Sequence, residues 1–357
     1  LSLHDALPIW LGSRTLNDYN IEIGKLPKGP LNKISDVPGI KVGHCTIDNE
    51  EHKTGVTVII PSENNIFENK LIASSFVLNG FGKSLGLVQI DELGTLETPI
   101  TITNTLNVGL VHDAIIEYMI KTCKKENIDI RSINPVVCEC NDSGLNNIQE
   151  RAVHKEHVFK AIENACSNFD EGDVGAGKGT VCYGLKGGIG SSSRIIELDG
   201  NKYTLGVLVQ SNHGILDDLI VDNNNIGSKL REYIETNVVD KGSIIMIIAT
   251  DMPLSDRQLK RIIKRASVGL ARTGSFIGHG SGEVMIGFST ANTIHHSEKN
   301  DIININILNE NSIDKAFRAV AEATEEAVLK SLLASDTVTG FDKKTKYSIN
   351  EFLNNMI

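Results

Sequence analysis

Residues Ser243–Thr250, SIIMIIAT, constrain the fold more than any other stretch of this chain. They form the centre of a longer segment, 238–254 (VVDKGSIIMIIATDMPL), with Gly242 before the run and Asp251-Met252-Pro253 after it. An uncharged, isoleucine-rich run of this length reads as a strand buried on both faces. Such a strand needs a packed layer on each side. Its one polar residue at the entrance, Ser243, directly follows a glycine, and a serine there is first of all an ordinary strand-start residue.

The flanking sequence supplies the layers. From Ile34 the segment ISDVPGIKVGHCTI turns at Pro38-Gly39 and alternates through Ile40, Val42 and Cys45, a strand pattern. TGVTVIIP, from Thr54, is a second strand. Leu71 to Gly86 holds short apolar runs broken by Asn79-Gly80 and Gly82, which reads as loop chemistry. TITNTLNVGLVHDA passes from strand into helix, with Val111, Ala114, Ile115 and Met119 on one face. INPVVCEC is a strand that ends in the polar cluster Asn141-Asp142-Ser143-Gly144, and a helix begins at about Lys155. Residues 172–194 are rich in glycine, and Tyr203 to Gln210 is another strand. Ser255 with Gln258 makes a capping box ahead of the buried stripe Leu259, Ile262, Ile263, Ala266. A last long helix begins near Ser312, with Ala316, Val320, Ala323, Ala327 and Leu333 inward and its charges outside. No repeat and no composition break divides the chain. These are α/β layers around a single core.

The 357 residues carry a net charge of −10, which argues against nucleic acid or an anionic membrane as the main partner. No apolar run reaches the length of a transmembrane helix. Six cysteines in mostly apolar or helical surroundings suit reduced thiols in the cytoplasm better than a disulfide framework. The first ten residues, LSLHDALPIW, look foreign to the rest of the chain, so residues 1–33 are set apart as a leader and 34–357 as one domain.

Several familiar chemistries fail on spacing. GDVGAGKG, from Gly172, approaches a phosphate-binding loop but has Gly179 where the magnesium-binding hydroxyl belongs. His154 and His157, and the pair His295-His296, lack matched carboxylates for a metal. Around Ser281 the glycines stand directly on either side, not as in G-x-S-x-G, and the serine precedes a strand instead of leaving one. No metal and no cofactor is called for. What remains is a chain that makes its own base. If the bond between Gly242 and Ser243 were cut, the new α-amino group, with a reference pKa of about 7.7–8.0, would stand beside the serine's own hydroxyl and accept its proton.

In order along the chain, ISDVPGIKVGH, TGVTVIIP, TPITITNTLNVG, KGGIGSSSR, LVQSNHG, KGSIIMIIATDMPL, LARTG and GSGEVMIGFST resemble one family. That family is the self-processing serine aminopeptidases, which include L-aminopeptidase/D-esterase-amidase and the β-peptidyl aminopeptidases. The similarity runs from about Ile34 to Gly340. It implies a four-layer αββα sandwich like that of the N-terminal-nucleophile hydrolases. It also implies autocleavage between Gly242 and Ser243, Ser243 as nucleophile, and Asn212 as an oxyanion donor. Ser281 and Glu283 match the pair that orients the nucleophile and its amine, and the processed units are expected to form a homo-oligomer. The expected substrates are short peptides, amides or esters with a free N-terminus. Glu139 and Asp142 are candidate anchors for the substrate ammonium, although a loop-capping role is the commoner use of a carboxylate in such a place. One departure stands out: similar proteins carry an aromatic, often tyrosine, where this chain has Gly144. Two rivals stay open, an amidase or acyltransferase acting on a non-peptide metabolite such as a pantetheine-like amide, and an unprocessed binding protein on the same scaffold.

Overall fold

The protein is described by a computed structural model covering residues 15–234 and 242–353. The first ten residues, and 238–241 of the segment around the isoleucine run, lie outside the described residues. The first half of the chain contains β1 (Lys41–Asp48), β2 (Lys53–Ile60), β3 (Asn69–Gly80), α1 (Leu87–Leu93) and β4 (Thr95–Leu96). It continues with β5 (Ile100–Asn104), α2 (Val108–Lys125), β6 (Val136–Cys140) and α3 (Lys155–Glu163). Next come two small strands, β7 (Val181–Cys182) and β8 (Leu185–Lys186), then the long pair β9 (Ile189–Leu198) and β10 (Asn201–Asn212). A minor hairpin, β11 (Ile220–Val221) and β12 (Asn224–Asn225), leads into α4 (Ile226–Leu230). The isoleucine run is β13 (Ser243–Thr250), followed by α5 (Asp256–Ile263), α6 (Ala266–Arg272), β14 (Gly282–His295) and α7 (Asp314–Leu333).

Two sheets pack face to face. One has the order β1-β2-β5-β6 and the other β4-β3-β14-β13-β10-β9. Helices α2 and α3 cover the outer face of the first, and α5, α6 and α7 cover the outer face of the second. This is the αββα sandwich that the family resemblance implies. β13 lies at its centre. Ile245, Ile247 and Ala249 enter the core between the sheets, while Ile244, Met246 and Ile248 enter the core beneath α7. Every residue of β13 is buried, and each large side chain contributes roughly 1.5–3 kcal/mol of transfer free energy. The side-chain period of two explains the continuous run, because neither face meets water. The strand is thus a rigid mount for its first residue.

At the far end of β13 the capping box forms as expected. Ser255 Oγ accepts from the Gln258 N–H at 3.2 Å, and Gln258 Oε1 accepts from the Ser255 N–H at 3.2 Å. Two other expectations need correcting. The stretch read as loop chemistry from Leu71 is one twelve-residue strand as far as Gly80, antiparallel to β14. Its polar residues have distant partners that local sequence does not reveal: Ser74 Oγ donates to the Asp256 carbonyl at 2.8 Å, and Ser75 Oγ to Asp91 at 3.0 Å. The loop begins only at Phe81.

In α7 the expected apolar residues are buried, but Glu322 and Glu326 are buried with them. Both face the guanidinium of Arg194 on β9, which is itself fully buried, with Nη1 at 2.7 Å from Glu326 and Nε at 3.4 Å from Glu322. The helix has no free outer side there, because residues 16–33 cross it. Leu16, Tyr19, Ile21 and Ile23, from the segment set apart as a leader, join the core under α7. Lys28 completes the network on Glu326 at 2.8 Å.

Candidate active site

The two central strand pairs set the geometry. Asn212 ends β10 directly opposite Ser243 at the start of β13, Ser243 is in register with Gly282 on β14, and Gly282 with Gly80 on β3. One row across four strands therefore brings together residues that are far apart in sequence. Ser243 is 6% exposed and Asn212 7%, both just out of bulk water, while Gly80 at the other end of the row is exposed.

Gly242 is seated tightly. A Cβ at this position would lie 1.7 Å from the carbonyl oxygen of Asn212. No side chain fits there without moving the backbone. The Gly242 carbonyl accepts a hydrogen bond from the N–H of Gly282 at 3.1 Å. That donor polarises the carbonyl immediately before Ser243. Gly282 is itself constrained, since a Cβ on it would approach the Phe81 carbonyl at 2.6 Å and Ser243 Oγ at 3.1 Å.

Ser281 closes the loop just before β14, and Glu283 is the second residue of that strand. Ser281 Oγ donates to Glu283 Oε1, and both residues are fully buried. The loop that delivers Ser281 is held by Asn79, whose Nδ2 donates to the Gly278 carbonyl at 3.0 Å and to the Ser281 carbonyl. In the sequence Asn79 reads only as turn punctuation. Its partners lie about 200 residues away, and nothing local signals them.

Asn212 is aimed from both ends of its amide. Oδ1 accepts from the Val181 N–H at 2.8 Å, and Nδ2 donates to the Asn141 carbonyl at 3.0 Å. An amide nitrogen carries two N–H donors, so one of them can serve this carbonyl and the other an oxyanion. Beneath Ser243 lies Cys140, whose Sγ is 3.5 Å from the Ser243 carbonyl oxygen. Burial pushes this thiol well above its ordinary pKa, so it remains a neutral neighbour rather than a rival nucleophile.

The two carboxylates considered as ammonium anchors are both buried, Glu139 at 3% and Asp142 at 1% exposure. Glu139 accepts from the Lys83 N–H at 3.0 Å and from the Thr105 hydroxyl, and so ties down the loop beside Phe81. Asp142 accepts from Asn146 Nδ2 at 3.0 Å, and burial pushes its carboxyl up to about 7. Gly144 is exposed, and a Cβ there would meet only Val181 Cγ2 at 3.8 Å, so crowding does not require glycine at this position.

The remaining motifs are otherwise engaged. Lys178, in the phosphate-loop-like GDVGAGKG, pairs with Asp48 at 2.8 Å and Asp173 at 2.7 Å. His157 Nδ1 accepts from the His154 N–H at 2.9 Å, which caps α3. His296 packs on the Phe67 ring with centroids 4.4 Å apart. Among the described residues no three His, Cys, Asp or Glu side chains converge as a metal site. No helix among them is long and apolar enough to cross a membrane.

The arrangement is a serine at a polarised peptide bond, an amide donor facing it across the strands, and a buried serine–carboxylate pair on the adjoining strand. Comparison with known proteins places the chain in a family. The sequence model of peptidase family S58 matches residues 32–346. The chain is 37% identical over 344 residues to beta-peptidyl aminopeptidase BapA of Sphingosinicella xenopeptidilytica, covering 90% of this chain and 85% of that protein. Among solved structures, the PH0078 protein of Pyrococcus horikoshii OT3 superposes with a TM-score of 0.91 at 45% identity, covering 96% of this chain and 98% of that one. The L-aminopeptidase D-Ala-esterase/amidase of Ochrobactrum anthropi, described as a variant of the Ntn hydrolase fold, superposes with a TM-score of 0.88 at 32% identity, covering 95% and 96%. The chain belongs to peptidase family S58, the serine aminopeptidases.

Proposed function

We propose that the chain cuts itself between Gly242 and Ser243 and then works as an aminopeptidase with Ser243 as nucleophile. The observation that carries this reading is the Gly242 carbonyl, held by the Gly282 N–H next to a serine on a rigid strand. In processing, Ser243 Oγ attacks the Gly242 carbonyl carbon, the amide bond breaks, and an ester links Gly242 to the serine. Water hydrolyses that ester, leaving a carboxylate on Gly242 and a free amine on Ser243. In turnover this amine takes the hydroxyl proton as Oγ attacks the substrate carbonyl. The oxyanion receives a hydrogen bond from Asn212 Nδ2, and the amine returns the proton to the leaving nitrogen. Water then releases the acyl group. Ser281 and Glu283 orient the serine and its amine, and a carboxylate there favours the ammonium form.

The substrates are short peptides, amides or esters with a free N-terminal amine. Glu139 anchors that amine through its place under the Phe81 loop, while Asp142 is the weaker candidate because its carboxyl titrates near neutrality. The names of the relatives extend the class to β-amino acid residues. Gly144 favours a second reading, in which a site altered at this position prefers a non-peptide amide. The processed units assemble as a homo-oligomer in the cytoplasm, where six cysteines in the thiol form are at home.

A panel of chromogenic anilides tests the substrate class. Anilides of α- and β-amino acids with free amines should be cleaved, and their N-acetylated forms at least about 100-fold more slowly in kcat/KM, equivalent to losing one well-placed ion pair. Equal rates on both, or cleavage of pantetheine-like amides alone, would reject the aminopeptidase assignment.

A further inference from the structure

Lys186 is a fully buried lysine in the glycine-rich segment, and the proposed mechanism does not use it. It closes the β7–β8 hairpin, with Val181 paired to Lys186 and the turn passing through Tyr183 and Gly184. Its Nζ donates to three backbone carbonyls, Gly177 at 2.9 Å, Thr180 at 3.1 Å and Gly187 at 2.5 Å. An ammonium has three donors, and here each meets an acceptor.

The Thr180 carbonyl matters most, because it belongs to the same peptide group as the Val181 N–H. That N–H is the donor to Asn212 Oδ1, at 2.8 Å. In a trans peptide the C=O and N–H point in opposite directions. An Nζ–H donor held on the oxygen therefore fixes the plane of the group and strengthens its N–H as a donor, more so in the ammonium form. The Gly187 N–H also donates to the Thr180 carbonyl, at 3.1 Å, so the oxygen is gripped twice. With Oδ1 of Asn212 claimed in this way the amide cannot flip, and Nδ2 keeps one N–H on the Asn141 carbonyl at 3.0 Å and a second for the nucleophile side.

We infer that Lys186 is a positioning residue for the reaction: through the Thr180–Val181 peptide it sets the orientation of the Asn212 amide and hence the strength of the oxyanion site. The inference rests on the proposed role of Asn212. Burying a lysine among carbonyls is costly. Burial pulls its pKa down to about 7, against the opposing pull of Asp173 and Asp142 and with Lys178 adding to the decrease. A role in aiming the donor gives a reason to keep it.

The test compares the wild type, Lys186→Met, Asn212→Ala and the double variant, with kcat and KM measured on an amino-acid anilide. Rates are expressed per reactive site, counted from the mass increment that a small sulfonyl fluoride leaves on the processed fragment. Lys186→Met should lower kcat per site by about 10- to 100-fold with KM within about threefold. In the Asn212→Ala background the same change should cost less than about threefold, because the donor it aims is gone. Lys186→Gln, which keeps two N–H donors, should fall between Met and wild type, and it takes the place of Met in the cycle if the Met variant does not accumulate. Fewer reactive sites with an unchanged rate per site would make Lys186 merely structural and overturn the inference, as would an equal loss in both backgrounds. If Asn212→Ala alone left kcat unchanged, the role of Asn212 itself would fail, which separates the two claims.

Discussion

Ser243→Ala is expected to give a single uncut chain with no detectable aminopeptidase turnover. The hydroxyl is the attacking atom in both reactions, so its removal abolishes processing, and without processing no α-amine forms to act as base. Loss of a nucleophile alone costs about six orders of magnitude in kcat in a serine hydrolase whose other groups remain. The fold should survive. Ser243 begins β13, and its small side chain is not one of the apolar groups that fill either core. The thermal midpoint is therefore expected within a few degrees of the wild type, the usual range for a change worth under about 1 kcal/mol. On a denaturing gel the wild type should show fragments of about 26 and about 12 kDa, the chain's 38.8 kDa divided in proportion to length. The variant should show one band. A Ser243→Ala protein that still divides, or still turns over, would place the nucleophile elsewhere.

The second large effect is expected at Gly242. With only 1.7 Å between a Cβ and the Asn212 carbonyl oxygen, Gly242→Val cannot keep the native backbone path. The peptide must shift, and the hydrogen bond from the Gly282 N–H at 3.1 Å goes with it. Loss of one preorganised donor to a reacting carbonyl costs about 100- to 1000-fold in rate, and misplacement by about 1 Å adds a comparable factor. Processing of Gly242→Val should therefore slow at least 100-fold, read as the half-time for conversion of the single chain into two. Gly242→Ala should be slowed as well, since the clash begins at Cβ. The core should hold, because this residue precedes the strand that carries the packing. Complete processing of the Val variant on purification would remove steric seating as the reason for glycine at the cleavage position.

Much of this architecture is legible in the residues themselves. An isoleucine run without charge can only be an interior strand, and Ser255 with Gln258 announces the helix that comes next. The alanines of α7 mark its buried stripe. β3 is obscured because Ser74, Ser75 and Asn79 interrupt its alternation, and they find their partners across the fold. Glu322 and Glu326 look like solvated charges until Arg194, 128 residues from Glu322, is brought against them. The site divides in the same way. The glycine–serine junction is local and can be reasoned from its chemistry, whereas the row joining Asn212, Ser243 and Gly282 is a product of strand register. Family resemblance points to Asn212, Ser281 and Glu283; strand register sets Asn212 opposite the serine and puts Ser281 and Glu283 on either side of Gly282, the residue in register with it. Nothing in the glycine-rich segment marks Lys186 as buried, and only the closed hairpin shows it.

The most direct measurement is the intact mass and N-terminal sequence of the purified wild-type protein. Two chains are expected, with the smaller beginning Ser243-Ile244-Ile245-Met246 and the larger ending at Gly242. One undivided chain after prolonged incubation, or a division at any other bond, would contradict the self-made N-terminal serine on which the catalytic reading stands.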